Sequence, residues 1–438
     1  MRARMWSFWA GLIIVFGITN AFAVVQIEDV DLGDGAMGRY RADDAGVSHI
    51  AFLSIHRTGN YLNHQSSREL ADRGFGTLGI RTRFNGDEAA VNWDLLALDV
   101  RNGVRFLRQE KGHSIVILIG RSGGGPTTSY YQAVMENGVS YCKGSIKLVE
   151  CPFDGTEFED TDAADGIAFT DAHPGIGINA LRKLNASIRN ESQPFGPAIN
   201  KSLDPFSEEN GFNPDEPIVY PDGDSEFSEH FVKKYGEAQS NRMNRLIHRA
   251  QQMLAQGASY DDPFVFSRVS ARIPEFDLDV HGRTLNPARL LKDSDGTLAD
   301  PEIIYTVRVP DPEEKERDLA SVEDHTIMSF LSANAIKSKH SLFDIEWCSS
   351  NSSVICAVRE ILAPILVLAH QGHYFMRDGE QIYEESASPD KEFVVVEGAT
   401  HGGGNCGNCA SYHGTGPYNN VTANLYDYIA QWANTRFP

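Results

Sequence analysis

The chain has 438 residues, 41% of them hydrophobic, and a formal net charge of −21. That length supports one large domain, or a core domain with an insertion. So acidic a surface argues against nucleic acid and anionic lipid as partners.

The first 23 residues read as a secretory signal peptide. Arg2 and Arg4 form a positive start, Met5 to Thr19 is apolar, and Ala21-Phe22-Ala23 is a small-x-small cleavage site before Val24. The apolar run is short for a spanning helix, and no other segment is long and apolar enough to cross a bilayer. The expectation is a secreted protein, periplasmic if bacterial, with no stable membrane insertion after cleavage.

From about residue 48 strands and helices alternate. Ser48 to Ile55 reads as a strand, Leu62 to Arg73 as a helix, Phe75 to Ile80 as a strand and Asp87 to Arg108 as a helix with an apolar face. The run Ser114 to Ile119 then leads into Gly120-Arg121-Ser122-Gly123-Gly124, followed by a helix-compatible stretch from Thr127 to Asn137. A strand, a G-x-S-x-G turn and a helix make a nucleophile elbow. Glycines two residues either side of Ser122 remove side chains that would collide in so sharp a turn. Gly166 to Phe169 is a further strand. Such alternation implies crossover units and a mostly parallel sheet flanked by helices, the α/β class.

The rhythm breaks between about 176 and 357. Strand-like runs are few there, and acidic, Pro and Gly positions are many. One amphipathic helix stands out, Ser228 to Gln256. The segment 176–357 reads as a lid inserted between two core pieces, 24–175 and 358–438. The second piece holds a buried strand, Pro364 to Ala369, a short helix, Asp378 to Glu385, and a last strand, Phe393 to Val396. That strand runs into Glu397-Gly398-Ala399-Thr400-His401, and a closing helix spans Asn419 to Thr435.

Six cysteines fall into three local couples: Cys142 with Cys151, Cys348 with Cys356, and Cys406 with Cys409. Nearest-neighbour pairing is the favoured connectivity among several, and it fits an oxidising compartment. A lone C-x-x-C at 406–409 with no second copy argues against zinc. Sequons at Asn185, Asn190, Asn200, Asn351 and Asn420 are glycosylation candidates if the source is eukaryotic.

With its elbow at Ser122 and a histidine in the loop after the last strand, the chain resembles the α/β-hydrolases over residues 48–175 and 358–435. More loosely it resembles their secreted or periplasmic esterases and lactonases. The resemblance implies that fold with a large lid, a Ser122 nucleophile and a His401 base. The acid of most members follows the strand matching 364–369, but His370 to Met376 contains no carboxylate. The first acids there are Asp378 and Glu380. In some haloalkane dehalogenases the acid follows the preceding strand, and Gly166 to Ala172 is similar to that segment. Asp171 is therefore the expected acid, and the order Ser122, Asp171, His401 keeps the superfamily order. The likeness to that branch ends there, because a serine cannot do the alkyl-halide chemistry of an aspartate nucleophile.

The oxyanion hole is expected from the N–H of Gly123 and that of Arg57, with Thr58 the alternative. Arg57 and Arg121 could also serve as substrate-carboxylate binders or as surface arginines. The implied activity is cleavage of a small-molecule carboxylic ester or lactone through an acyl-enzyme, with no metal or organic cofactor. A peptidase, amidase or acyltransferase would use the same triad, and a non-catalytic binding protein would keep the fold while losing a triad member.

Overall fold

The computed structural model describes residues 25–43, 48–213, 225–267, 282–309, 322–342 and 344–438. The leader reading, residues 1–23, lies outside the described residues.

The chain opens with an antiparallel hairpin, β1 (Val25–Gly33) and β2 (Ala36–Asp43). The sequence reading does not anticipate it. Strands and helices then alternate: β3 (Ile50–Ile55), α1 (Gln65–Ala71), β4 (Gly76–Arg81), α2 (Leu96–Arg105), β5 (Ile115–Ser122), α3 (Gly124–Asn137) and β6 (Gly166–Ala172). The intervening region contributes α4 (Ile176–Lys183), α5 (Glu229–Ala255), β7 (Pro263–Ser267), β8 (Arg289–Leu291) and β9 (Val322–Thr326). The chain closes with α6 (Val354–Val358), β10 (Ile365–His370), α7 (Met376–Glu385), β11 (Lys391–Val396), α8 (Gly407–His413) and α9 (Val421–Arg436).

Nine strands form one sheet in the order β1-β2-β4-β3-β5-β6-β10-β11-β8. Only β2 runs against its neighbours; every pair from β4 to β8 is parallel. Parallel strands must be covered on both faces, and the central stretches of β3, β5 and β10 are accordingly runs of mostly apolar residues. Along β5, Val116 and Leu118 enter the cluster with α2 and α3, while Ile117 and Ile119 enter the one with α1 and α9. The period of two assigns each side chain to a face.

Part of the 176–357 stretch builds its own core. Ile178 and Leu181 of α4, Met243 and Ile247 of α5, and Phe264 and Phe266 of β7 pack together. The α5 helix starts where Ser228 accepts the Phe231 N–H, at 3.2 Å, an N-cap that satisfies an otherwise orphan donor. Strands β7 and β9 pair in a separate two-stranded sheet. Another part of the stretch joins the main sheet. Strand β8 pairs in parallel with β11 and ends the main sheet.

The six cysteines pair as Cys142–Cys151, Cys348–Cys356 and Cys406–Cys409, with Cα separations of 5.5, 5.0 and 5.2 Å. Two sequon candidates need correction. Asn185 is fully buried, and Asn351 is buried with its side chain donating to Asp94 at 2.9 Å. Neither has room for a glycan in the folded chain. Asn190 and Asn420 are exposed, and Asn200 is half-buried.

Candidate active site

Ser122 ends β5 at the tip of a turn, and its backbone sits in the left-handed region at φ 53°. The turn is possible because two glycines let backbones approach. A Cβ on Gly124 would lie 2.2 Å from the Ile55 carbonyl oxygen, and one on Gly120 would lie 2.6 Å from Thr128 Oγ1. The described residues hold three non-glycine residues at positive φ: Asp34 in the first hairpin, Ser122, and Asp171 at φ 47°. Such backbone strain persists only where the surroundings impose it, and it concentrates at functional sites.

A mostly parallel sheet with one antiparallel second strand, helices on both faces, and a strand–serine–helix elbow on a central strand together define the architecture. The chain has the α/β-hydrolase fold. No protein-family model matches the sequence, and no curated protein matches it either. Solved structures with a similar fold include the following three hydrolases. One is a proline iminopeptidase from Mycobacterium smegmatis, at 13% identity, 94% of this chain and 98% of that one, with a TM-score of 0.37. A second is a soluble variant of monoglyceride lipase from Saccharomyces cerevisiae, at 11% identity, 97% and 99%, with a TM-score of 0.37. The third is brefeldin A esterase, a bacterial homologue of human hormone sensitive lipase, at 12% identity, 97% and 81%, with a TM-score of 0.39. The assignment rests on the chain's own topology and elbow.

In this hydrolase fold the carboxyl ends of β5, β6, β10 and β11 converge. Asp171, at the end of β6, is completely buried, and the His401 loop follows β11. His401 Nδ1–H donates to Asp171 Oδ2 at 2.5 Å. That bond places the ring's proton on Nδ1 and leaves Nε2 free to accept. Ser122 and His401 line the same cavity, of about 500 Å³.

The carboxylate of Asp171 has further company. His373 Nδ1 lies 2.6 Å from the same oxygen, off the line of a directed hydrogen bond. His370 Nδ1 lies 4.0 Å away, and its backbone N–H reaches Oδ1 at 3.4 Å. Burial opposes ionisation of Asp171, but these histidines and the His401 bond hold its carboxyl well below the usual carboxylate range. The His373 ring stacks on His401, with centroids 4.2 Å apart. His370 Nδ1–H also donates to the Thr400 carbonyl at 2.6 Å, which ties the end of β10 to the loop carrying His401. The sequence reading missed His370 and His373; their signal was two histidines where a carboxylate was sought.

The more usual acids are engaged elsewhere. Asp378 pairs with Arg182 at 2.8 Å. Glu380 accepts the backbone N–H groups of Leu285 and Asn286 at 2.9 and 2.7 Å. Gly123 stands at the N-cap of α3, directly after the serine. Arg57 lies in the loop after β3 on the wall of the cavity, where its guanidinium pairs with Glu88 at 2.6 Å. Its carbonyl accepts from Thr82 Oγ1 at 2.6 Å, and Thr58 Oγ1 donates to Glu88 as well, so the loop is held from two sides. Arg121 turns away to His64 Nε2, at 2.8 Å, and is not on the cavity wall.

The 176–357 stretch supplies much of the remaining wall. Asn179 and Lys183 come from α4, Met243 from α5, Phe266 from β7, and Glu323 and His325 from β9. Among titratable groups on the wall, His173 is completely buried, and burial holds its pKa well below that of a free histidine. His56 is likewise depressed, to about 3, by burial and then by the Arg57 charge. Both rings are neutral over the working range of most enzymes.

Proposed function

We propose that the protein is a secreted serine hydrolase that cleaves a carboxylic ester or lactone through Ser122, His401 and Asp171. The observation that carries this reading is the His401–Asp171 hydrogen bond, with His401 on the wall of a cavity that Ser122, held at positive φ, also lines. Serine is a weak nucleophile until a base takes its proton. Ser122 Oγ attacks the carbonyl carbon while His401 Nε2 accepts the hydroxyl proton. Asp171 stabilises the imidazolium that forms and fixes the ring's tautomer. The Gly123 and Arg57 N–H groups receive the developing oxyanion. The alcohol leaves with the proton from His401, and water repeats the sequence on the acyl-enzyme.

The wall of the cavity supports a compact substrate with polar groups. Arg57, Glu88, Asn179, Lys183 and Asn334 share the wall with the apolar Ile176, Ala180, Leu184, Met243, Phe266 and Phe375, which suits a small molecule with both polar and apolar parts. Secretion is supported by the three disulfides, which persist in oxidising compartments.

A fluorophosphonate probe tests the reading. It should label Ser122, and Ser122→Ala should remove both the label and all turnover across a panel of short acyl esters and lactones while the protein stays folded. Labelling at another residue, or wild-type turnover in the alanine variant, would sink the serine mechanism.

A further inference from the structure

His56 follows β3 directly and faces the elbow. Its Nδ1 accepts two backbone N–H groups of its own loop, from Gly59 at 2.9 Å and Thr58 at 3.3 Å. A neutral imidazole that accepts at one nitrogen carries its proton on the other, so Nε2 is the donor. Among the described residues no acceptor takes that N–H. The Nε2 atom stands against Gly123: a Cβ there would be 2.8 Å from it. The ring lines the cavity together with Ser122 and His401. A fixed donor therefore lies beside the residue whose own N–H follows the nucleophile.

Resting on the acyl-transfer reading above, we propose that His56 is a further catalytic residue, whose Nε2–H hydrogen-bonds the substrate oxygen as it becomes an oxyanion. As the Ser122 Oγ–carbon bond forms, the carbonyl π pair moves onto oxygen, and the hydroxyl proton goes to His401. His56 keeps its own proton throughout. When the intermediate collapses, the C=O bond reforms and the leaving group departs with the His401 proton. A ring that stays neutral suits this role. It presents a donor of fixed direction without a charge that would need solvating, and it cannot compete with His401 as a base.

Two substitutions separate the donor from the loop support. In His56→Asn the amide oxygen stands in for Nδ1, which keeps an acceptor for the Thr58 and Gly59 N–H groups but removes the Nε2 donor. In His56→Gln the amide nitrogen stands in for Nε2, which keeps the donor and loses the acceptor. The asparagine variant should lose about 10²–10³-fold in kcat, the usual cost of one oxyanion donor, with little change in KM. The Ki of an arylboronic acid, which forms a tetrahedral adduct on Ser122, should weaken in parallel. The glutamine variant should keep kcat within about tenfold. Wild-type kcat in His56→Asn overturns the proposal, and so does a larger loss in His56→Gln than in His56→Asn. If neither variant folds, Gly123→Ala applies the same test, because its methyl displaces the ring while φ −63° suits alanine; an unchanged kcat there also overturns the proposal. The fluorophosphonate label keeps the two failures apart. An unlabelled wild-type protein rejects the serine mechanism, whereas a labelled, active His56→Asn rejects only the role of His56.

Discussion

One buried carboxylate organises the site at the scale of residues. Asp171 receives the His401 N–H, with His373 beside it on the same oxygen and His370 behind. Replacing the carboxylate by an amide keeps the shape but removes the charge that favours the imidazolium. Asp171→Asn should therefore lower turnover by about 10³–10⁴-fold, with circular dichroism and the elution volume unchanged. Asp378→Asn and Glu380→Gln are the controls. Their partners are Arg182 and the backbone at 285–286, so they should cost stability and leave kcat nearly intact. A greater loss of kcat in either control would move the acid to the later strand. The places of Ser122, Asp171 and His401, at or just after strand ends, were legible because motif and strand pattern coincide there. The histidines around Asp171 were not, because an imidazole in a loop has no periodic signature, and its role appears only once β6 and β10 are neighbours.

The elements show where backbone contact, rather than side-chain chemistry, dictates the residue. Gly124 lies where α3 meets the end of β3, and a methyl there would press 2.2 Å from a carbonyl oxygen that belongs to the sheet. Gly124→Ala should cost at least about 1–3 kcal/mol in urea unfolding, since backbone cannot yield as a side chain can. Gly236 is the opposite case. It lies inside the 27-residue α5, and a Cβ there would meet Leu342 at an ordinary 3.6 Å. Gly236→Ala should stabilise by about 0.5–1 kcal/mol by reducing the freedom of the unfolded chain. Equal effects of the two substitutions would contradict this account of the packing. The same division explains which elements the sequence displayed. Strands β3, β5 and β10 are buried on both faces, so their apolar runs announce them. The β1–β2 hairpin is largely exposed along β1, and its Gly33-Asp34-Gly35 turn is a short signal. Strand β8 has three residues and becomes a strand only through pairing with β11. The expected helix over 87–108 divides into a short turn at Glu88–Ala90, α2, and a widened turn at Phe106–Glu110.

For the whole molecule, the buried histidines set the response to acid. Burial is the main cause of the depressed pKa of His56 and His64, both to about 3, and of His370, to about 4. It also lowers His113, His173 and His373. A histidine depressed in the folded state takes up its proton on unfolding. Its contribution to stability is complete above its unfolded value, near 6.5, and is lost as pH falls towards the folded value. Each such ring changes stability by at most about 1.4 kcal/mol per pH unit in that window. Asp94 acts the other way. Burial raises it to about 6, against the hydrogen bonds from Tyr130 and Asn351, so the folded state holds a proton that the unfolded chain has lost between about pH 4 and 6. Stability from this one group therefore grows on acidification, but six histidines oppose it. Asp171 adds to the losses from about pH 5 downwards, where the unfolded carboxylate begins to protonate. The melting temperature should accordingly fall steadily from pH 7 to pH 4.5. Asp99 and Asp378 are raised by burial in the same sense, and in Asp94→Asn the fall should be steeper, because one of the opposing groups is gone. A melting temperature that stays level or rises over that range would mean that burial does not depress these rings as a group.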